Sequence, residues 1–249
     1  MQKEMNIDSI VLQVQGNEDQ IAEEINMMLD GKLEILKSLP RQPTKEQRSE
    51  WLRVTRRLFP KTAVFVAFIH HERGQSIPLI KYGNSKGLTL HFNGLHSITR
   101  EEYNITDYAK QRIIILNEFL NKWNEEIKVT RVDYCIDFID KKWDEYSNTR
   151  LHRQLCKKHG AAKFKKTTVY YQPPKPKYVK ITAYDKQVKN GLNYPITRVE
   201  FSFMGQFWSN FDTRYGNKVV YDALEKVERF LIHRNLSKLY KKNIHLELL

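Results

Sequence analysis

Three stretches of this sequence alternate apolar and polar residues with a strict period of two, and that alternation limits the fold more than any other feature. In KVTRVDYCIDF, Val132, Tyr134, Ile136 and Phe138 fall on one side of a pleat, and Arg131, Asp133, Cys135 and Asp137 on the other. KYVKITAYDK sets Val179, Ile181 and Ala183 against Tyr178, Lys180, Thr182, Tyr184 and Lys186. TRVEFSF sets Val199, Phe201 and Phe203 against Arg198, Glu200 and Ser202. Segments of this kind are strands of a sheet with one apolar face, which helices must cover, and one polar face left open.

The rest of the chain fits around such a sheet. Ile21, Ile25, Met28, Leu29 and Leu33 are spaced as on a helix, and a second helix is expected from Thr44 to Leu58, so residues 1–59 read as an N-terminal helical segment. After Pro60, TAVFVAFIHH, IPLIKYG and LTLHFNGLHSI read as a meander of strands, and TTVYYQ as a further strand. Helices are expected from Thr106 to about Glu126, over 144–159, and from Val219 to Lys241. The class is α+β: a central antiparallel sheet with helices on one face, two similar β-then-α halves, and the N-terminal helical segment ahead of a 60–249 domain.

Charge narrows the partners. The 249 residues carry 42 Lys and Arg against 29 Asp and Glu, a formal charge of +13. Nucleic acid is the first partner such an excess points to, because each cation that meets a phosphate releases a condensed counterion. No apolar run approaches the roughly 20 residues of a membrane span, and the first residues lack the order of a secretory signal. Cys135 and Cys156 make neither a disulfide framework nor a zinc pair, so a cytoplasmic setting without membrane contact is expected.

A single Asp, Tyr or Lys on an open sheet face is ordinary decoration, since cross-strand ion pairs are common there. Here the company is unusual. Asp is disfavoured in mid-strand, and Asp133 and Glu200 each follow an arginine by two, in RVD and RVE. Carboxylates able to hold a hard divalent cation, a tyrosine hydroxyl and lysines on one face are the parts needed to break a phosphodiester through a covalent phosphotyrosine. Lys163, Lys165 and Lys166, with Lys175, Lys177 and Lys180, form the densest basic stretch, a hairpin along which a DNA backbone could run. Arg48, Arg53, Arg56 and Arg57 make a second phosphate-facing group. Phe207, Trp208 and Phe211 read as a core or loop anchor, and His91 and His96 as surface or core histidines. Of the adjacent His70 and His71, at most one could serve as a ligand.

The ordered set RVDYCIDF, TVYYQ, KITAYDK and ITRVEFSF, over about residues 60–205, resembles the rolling-circle replication initiators of small plasmids, the Rep-trans type, and more distantly the nicking proteins of filamentous phages. The resemblance implies a 60–249 nicking and DNA-binding domain. It would cut one strand at a replication origin, single-stranded or extruded as a hairpin, stay joined to the 5′ phosphate through tyrosine, and rejoin the ends using Mg²⁺ or Mn²⁺. It implies Tyr184 as nucleophile, Lys186 as its electrostatic partner, Asp133 and Glu200 as metal ligands, and Arg131 and Arg198 as groups orienting phosphate or carboxylate. Asp137 is a weaker ligand candidate, because about 3.3 Å per residue puts it roughly 13 Å along the strand from Asp133. Tyr171 is a rival nucleophile, ranked behind Tyr184, that a facing strand could bring to the same cleft. The family often has an acidic residue where this chain has Lys189. A host helicase, the oligomeric state and the origin sequence stay open, and the competing reading is a DNA-binding initiator that does not cut.

Overall fold

The computed structural model describes residues 3–36, 63–70, 75–82, 87–123, 126–159, 163–172, 178–209 and 214–233. Among them the chain forms one antiparallel sheet of eleven strands. These are β1 (Lys3–Gln15), β2 (Lys32–Leu36), β3 (Ala63–His70), β4 (Ser76–Tyr82), β5 (Gly87–Asn93), β6 (Glu126–Ile139), β7 (Lys163–Lys165), β8 (Thr168–Tyr171), β9 (Val179–Asp185), β10 (Ile196–Met204) and β11 (Arg214–Tyr215). The order across the sheet is β2-β3-β4-β5-β1-β6-β10-β9-β8-β7, with β11 beside the start of β6.

The three alternating segments are neighbours, as β6, β10 and β9. Their apolar sets, including Val132, Tyr134, Phe138, Val199, Phe201, Ile181 and Ala183, are buried in one core. Helices cover this face. The first, α1 (Glu18–Met28), starts at Asn17, whose side chain accepts from the backbone N–H of Asp19 and Gln20, and buries Ile21, Ala22 and Ile25. The second, α2 (Asp107–Lys122), is capped by Thr106 and buries Ile115, Leu116, Phe119 and Leu120. Arg112 on α2 donates to the carbonyls of Ser76, His91 and Asn93, which staples the helix to β4 and β5. The last described helix, α6 (Gly216–His233), adds Val220, Ala223, Leu224, Val227 and Leu231 to the same core. No described helix is long and apolar enough to cross a membrane.

The N-terminal segment departs from expectation. Only α1 of the helix expected at residue 17 onward is helical; Lys32–Leu36 is a strand, and Lys3–Gln15 is a strand at the centre of the sheet, between β5 and β6. The expected boundary at 59/60 therefore does not part the described residues, because β1 is held by strands from the other side of it. The second expected helix, with Arg48, Arg53, Arg56 and Arg57, lies outside the described residues, as do His71 and Phe211. Residues 144–159 form two helices, α3 (Trp143–Tyr146) and α4 (Arg150–His159). Between β9 and β10 sits a five-residue helix, α5 (Lys186–Asn190), capped by Asp185 and ended by Gly191 at φ 63°, a conformation glycine adopts without steric cost.

Candidate active site

Strand register decides which polar groups meet. Arg198 lies opposite Asp137 on β6 and Tyr184 on β9; Glu200 lies opposite Cys135 and Thr182; Ser202 lies opposite Asp133 and Lys180. These residues share the face away from the apolar core. Asp133 and Glu200 are thus diagonal neighbours, about 7 Å apart by strand geometry. β1 adds a fourth carboxylate: its register shifts between Ile7 and Ser9, and the extra residue at this bulge is Asp8.

One end of the face is closed by residues 95–106. There Arg198, 2% exposed, donates Nε to Asp137 Oδ1 and Nη2 to Oδ2, each at 2.6 Å, and Nη1 to Asp8 Oδ1 at 2.5 Å. Tyr103 donates to Asp137 Oδ2 at 3.2 Å, and His96 Nε2 stands 3.3 Å from the same oxygen. Burial alone would raise the Asp137 carboxyl, but Arg198, with His96 and Lys186 behind it, holds it well below the usual carboxylate range. Lys186 is buried against Asp137 Oδ2 and the His96 carbonyl, 3.5 Å from each.

The other part of the face holds the tyrosine. Tyr184 donates its hydroxyl to Glu200 Oε2 at 3.3 Å, and Lys189 Nζ stands 4.0 Å from the centre of its ring. Burial, partly offset by Arg198, pushes the Tyr184 phenol far above its ordinary value, and Glu200 and Asp8 push the same way. Burial, then Asp133 and Asp8, also raises the Glu200 carboxyl. Asp133 accepts from Ser9 Oγ at 2.6 Å and from Arg131, Nε to Oδ1 at 2.7 Å and Nη2 to Oδ2 at 2.7 Å. Next to this group, Tyr170 has Lys165 Nζ and Lys180 Nζ 5.6 and 5.9 Å from its ring centre.

Tyr184, Glu200, Asp133, Arg131 and Lys180 therefore share one face of the sheet, which is not left open as expected, since Tyr184 and Asp133 are buried, and four further expectations change. Asp137, expected as a weaker metal ligand, has its oxygens taken up by Arg198. Arg198, expected to orient phosphate or carboxylate, is engaged by the carboxylates of Asp137 and Asp8. Lys186 serves Asp137, and the cation on the phenol is Lys189. Tyr171 points into the core, where its hydroxyl bonds Tyr146 at 2.6 Å and His152 Nδ1 at 2.8 Å, because on β8 it shares a face with Val169 and Ile181. The tyrosine of that pair on the polar face is Tyr170. Lys165 and Lys166 are exposed; Lys175, Lys177 and the side chain of Lys163 lie outside the described residues. Trp208 is buried and donates to the Phe203 carbonyl, a core anchor as expected.

No family model matches the chain, and no curated protein matches its sequence. Among solved structures the fold is similar to the "Structure of Rolling Circle Replication Initiator Protein from Geobacillus stearothermophilus", with a TM-score of 0.47 and 11% identity over 99% of this chain and 90% of that one.

Two sets of donors bear on a divalent cation. One ligand atom each of His96, Cys135 and Asp137 lies within 4.8 Å of the others. They do not fit a cation: Asp137 is already neutralised by Arg198 and Lys186, and burial pushes the Cys135 thiol far up, away from the thiolate a metal needs. Asp8, Asp133 and Glu200 are hard oxygen donors on the same face, where Arg198 pairs with Asp8 and Arg131 with Asp133, so a cation there competes with both arginines.

Proposed function

We propose that this chain is a replication initiator that nicks and rejoins one DNA strand at an origin through a covalent 5′-phosphotyrosine on Tyr184. The observation that carries the reading is the Tyr184–Glu200 hydrogen bond on the polar face of the sheet, with burial first and then Asp133 and Asp8 raising the Glu200 carboxyl. The Tyr184 oxygen attacks phosphorus while its proton passes to Glu200. The bond from phosphorus to the 3′ oxygen breaks, the 3′ oxygen takes up a proton from solvent, and the 5′ phosphate stays on Tyr184. Attack by that 3′ hydroxyl on the phosphotyrosine reverses the step and returns the proton. Glu200, whose carboxyl binds a proton more readily than an ordinary glutamate, suits the role of acceptor.

Lys189 stands over the ring on which phenolate charge develops and stabilises it. Mg²⁺ or Mn²⁺ held by Asp8, Asp133 and Glu200 would supply polarisation of the scissile phosphate. Lys165 and Lys180 beside Tyr170 offer charge and an aromatic face to the strand.

Incubation with supercoiled DNA carrying the chain's own origin, with Mn²⁺, tests this. Nicked circles with protein attached to a 5′ end, absent in Tyr184→Phe, support it. Tight binding with no cleavage favours the alternative, a DNA-binding initiator without chemistry, a reading that the burial of Tyr184, 7% exposed, supports.

A further inference from the structure

The polar face carries a second concavity that the cleavage chemistry does not use. It is a groove of about 620 Å³ over β4, β5, β1 and β6, lined among others by Gln13, Tyr82, Thr89, His91, Lys128 and Arg131. That volume falls within the ~300–1,000 Å³ of small-ligand sites. The lining holds two cations, Lys128 and Arg131, and no carboxylate.

Its walls mix apolar groups, Val11 and Met204 among them, with uncharged polar ones. His91 Nε2 lies 3.3 Å from the Tyr82 hydroxyl. Burial, then Arg131 and Arg112, hold His91 down at about 4, so at neutral pH it offers one donor and one acceptor. Gln13 and Gln15 add amides, which can both give and receive hydrogen bonds. Arg131 joins this groove to the candidate active site, because its guanidinium also grips Asp133.

We propose that the groove holds an unpaired nucleotide of the DNA strand flanking the scissile phosphate, with Tyr82 against the base, Gln13, Gln15 and His91 at its edges, and Lys128 at its phosphate. The inference rests on the nicking reading and gives its substrate a position. Charge chooses the occupant: Lys128 stands in a lining without a carboxylate and fits a phosphate chain, and Arg131, held by Asp133, joins the groove to the face that carries Glu200. A single strand is favoured over a duplex, because an unstacked base can offer its face to a tyrosine and its whole edge to the amides, which a paired base cannot.

The test separates binding from cleavage. In a Tyr184→Phe chain with EDTA, a fluorescein-labelled mixed-sequence 20-mer is titrated by anisotropy, with and without Tyr82→Ala and Lys128→Gln. About tenfold weaker binding of the single strand in the double variant is expected, with a smaller loss for duplex of the same sequence and little competition from free deoxynucleoside monophosphate. Equal affinity, or an equal loss for duplex, overturns the inference. Crosslinking of a 5-iododeoxyuridine oligonucleotide to the unaltered chain decides the matter should the variants misfold. Label on the peptide carrying Tyr82 supports the groove, and label confined to other peptides overturns it. None of these readouts needs cleavage, so absence of nicking would leave them interpretable.

Discussion

Arg198 and Asp137 face one another across β10 and β6 as a two-pronged ion pair, with both contacts at 2.6 Å and both side chains buried. Such a pair returns little net stability, since desolvation opposes attraction, but losing one partner leaves a buried charge uncompensated. Arg198→Met should therefore cost about 3–5 kcal/mol, and adding Asp137→Leu should recover much of it. Urea midpoints of the two single variants and the double variant check this. Equal destabilisation in single and double variants would mean that the pair is not the source.

Stability should fall as mild acid is approached, in a manner traceable to His91. Its folded value, about 4, lies below the unfolded value of 6.5, with burial the main cause and Arg131 and Arg112 adding to it. Between those values the unfolded chain binds the extra proton, so the stabilising contribution is full above pH 6.5 and is lost as pH falls toward 4. Denaturation at pH 7.5 and 4.5 should show His91→Asn losing less than the unaltered chain, by about 2 kcal/mol. His96 and His152 are also lowered by burial and titrate in the same direction, so the comparison of variants, not the absolute slope, carries the result.

The two tyrosines should separate cleanly. Tyr171→Phe leaves the Tyr146 hydroxyl and His152 Nδ1 without a shared partner and should cost about 1–3 kcal/mol while the DNA adduct still forms. Tyr184→Phe gives up one 3.3 Å bond to Glu200 and should change stability by less than about 1.5 kcal/mol while the adduct disappears. Thermal melts run beside an adduct gel report both quantities.

How much of this was legible in the sequence depends on the continuity of the pleat. β6, β9 and β10 keep their alternation, so the face each polar residue takes could be read directly, while the pairing that sets Glu200 beside Tyr184 and diagonal to Asp133 needed the order and register of the strands. β1 does not. Asp8 is inserted at a bulge, so the buried Ile10, Leu12 and Val14 fall out of phase with Ile7, and the three-residue step from Ile7 to Ile10 hides the strand. A central strand and a fourth carboxylate were missed together for that one reason. Lys186 and Lys189 could not be told apart, because the strand period ends at Asp185, where the side chain caps a helix and turns Lys186 inward and Lys189 back over Tyr184. The choice between Tyr170 and Tyr171 needed the register of β8 against β9, which a TVYY run does not reveal.

Glu200 should show opposite effects on stability and on chemistry. Burial, then the neighbouring Asp133 and Asp8, raise its carboxyl above the unfolded value of 4.5. For an acid shifted this way the unfolded chain gives up its proton first, so stability falls as pH rises from 4.5 through the folded value, and at neutral pH the charged group weakens the fold. Glu200→Gln keeps the shape and removes the charge. It should raise the urea midpoint at pH 7.5, with a smaller gain at pH 4.5, while Mn²⁺-dependent adduct formation drops at least about tenfold. A lowered midpoint together with intact adduct formation would mean that Glu200 neither takes the Tyr184 proton nor holds the cation.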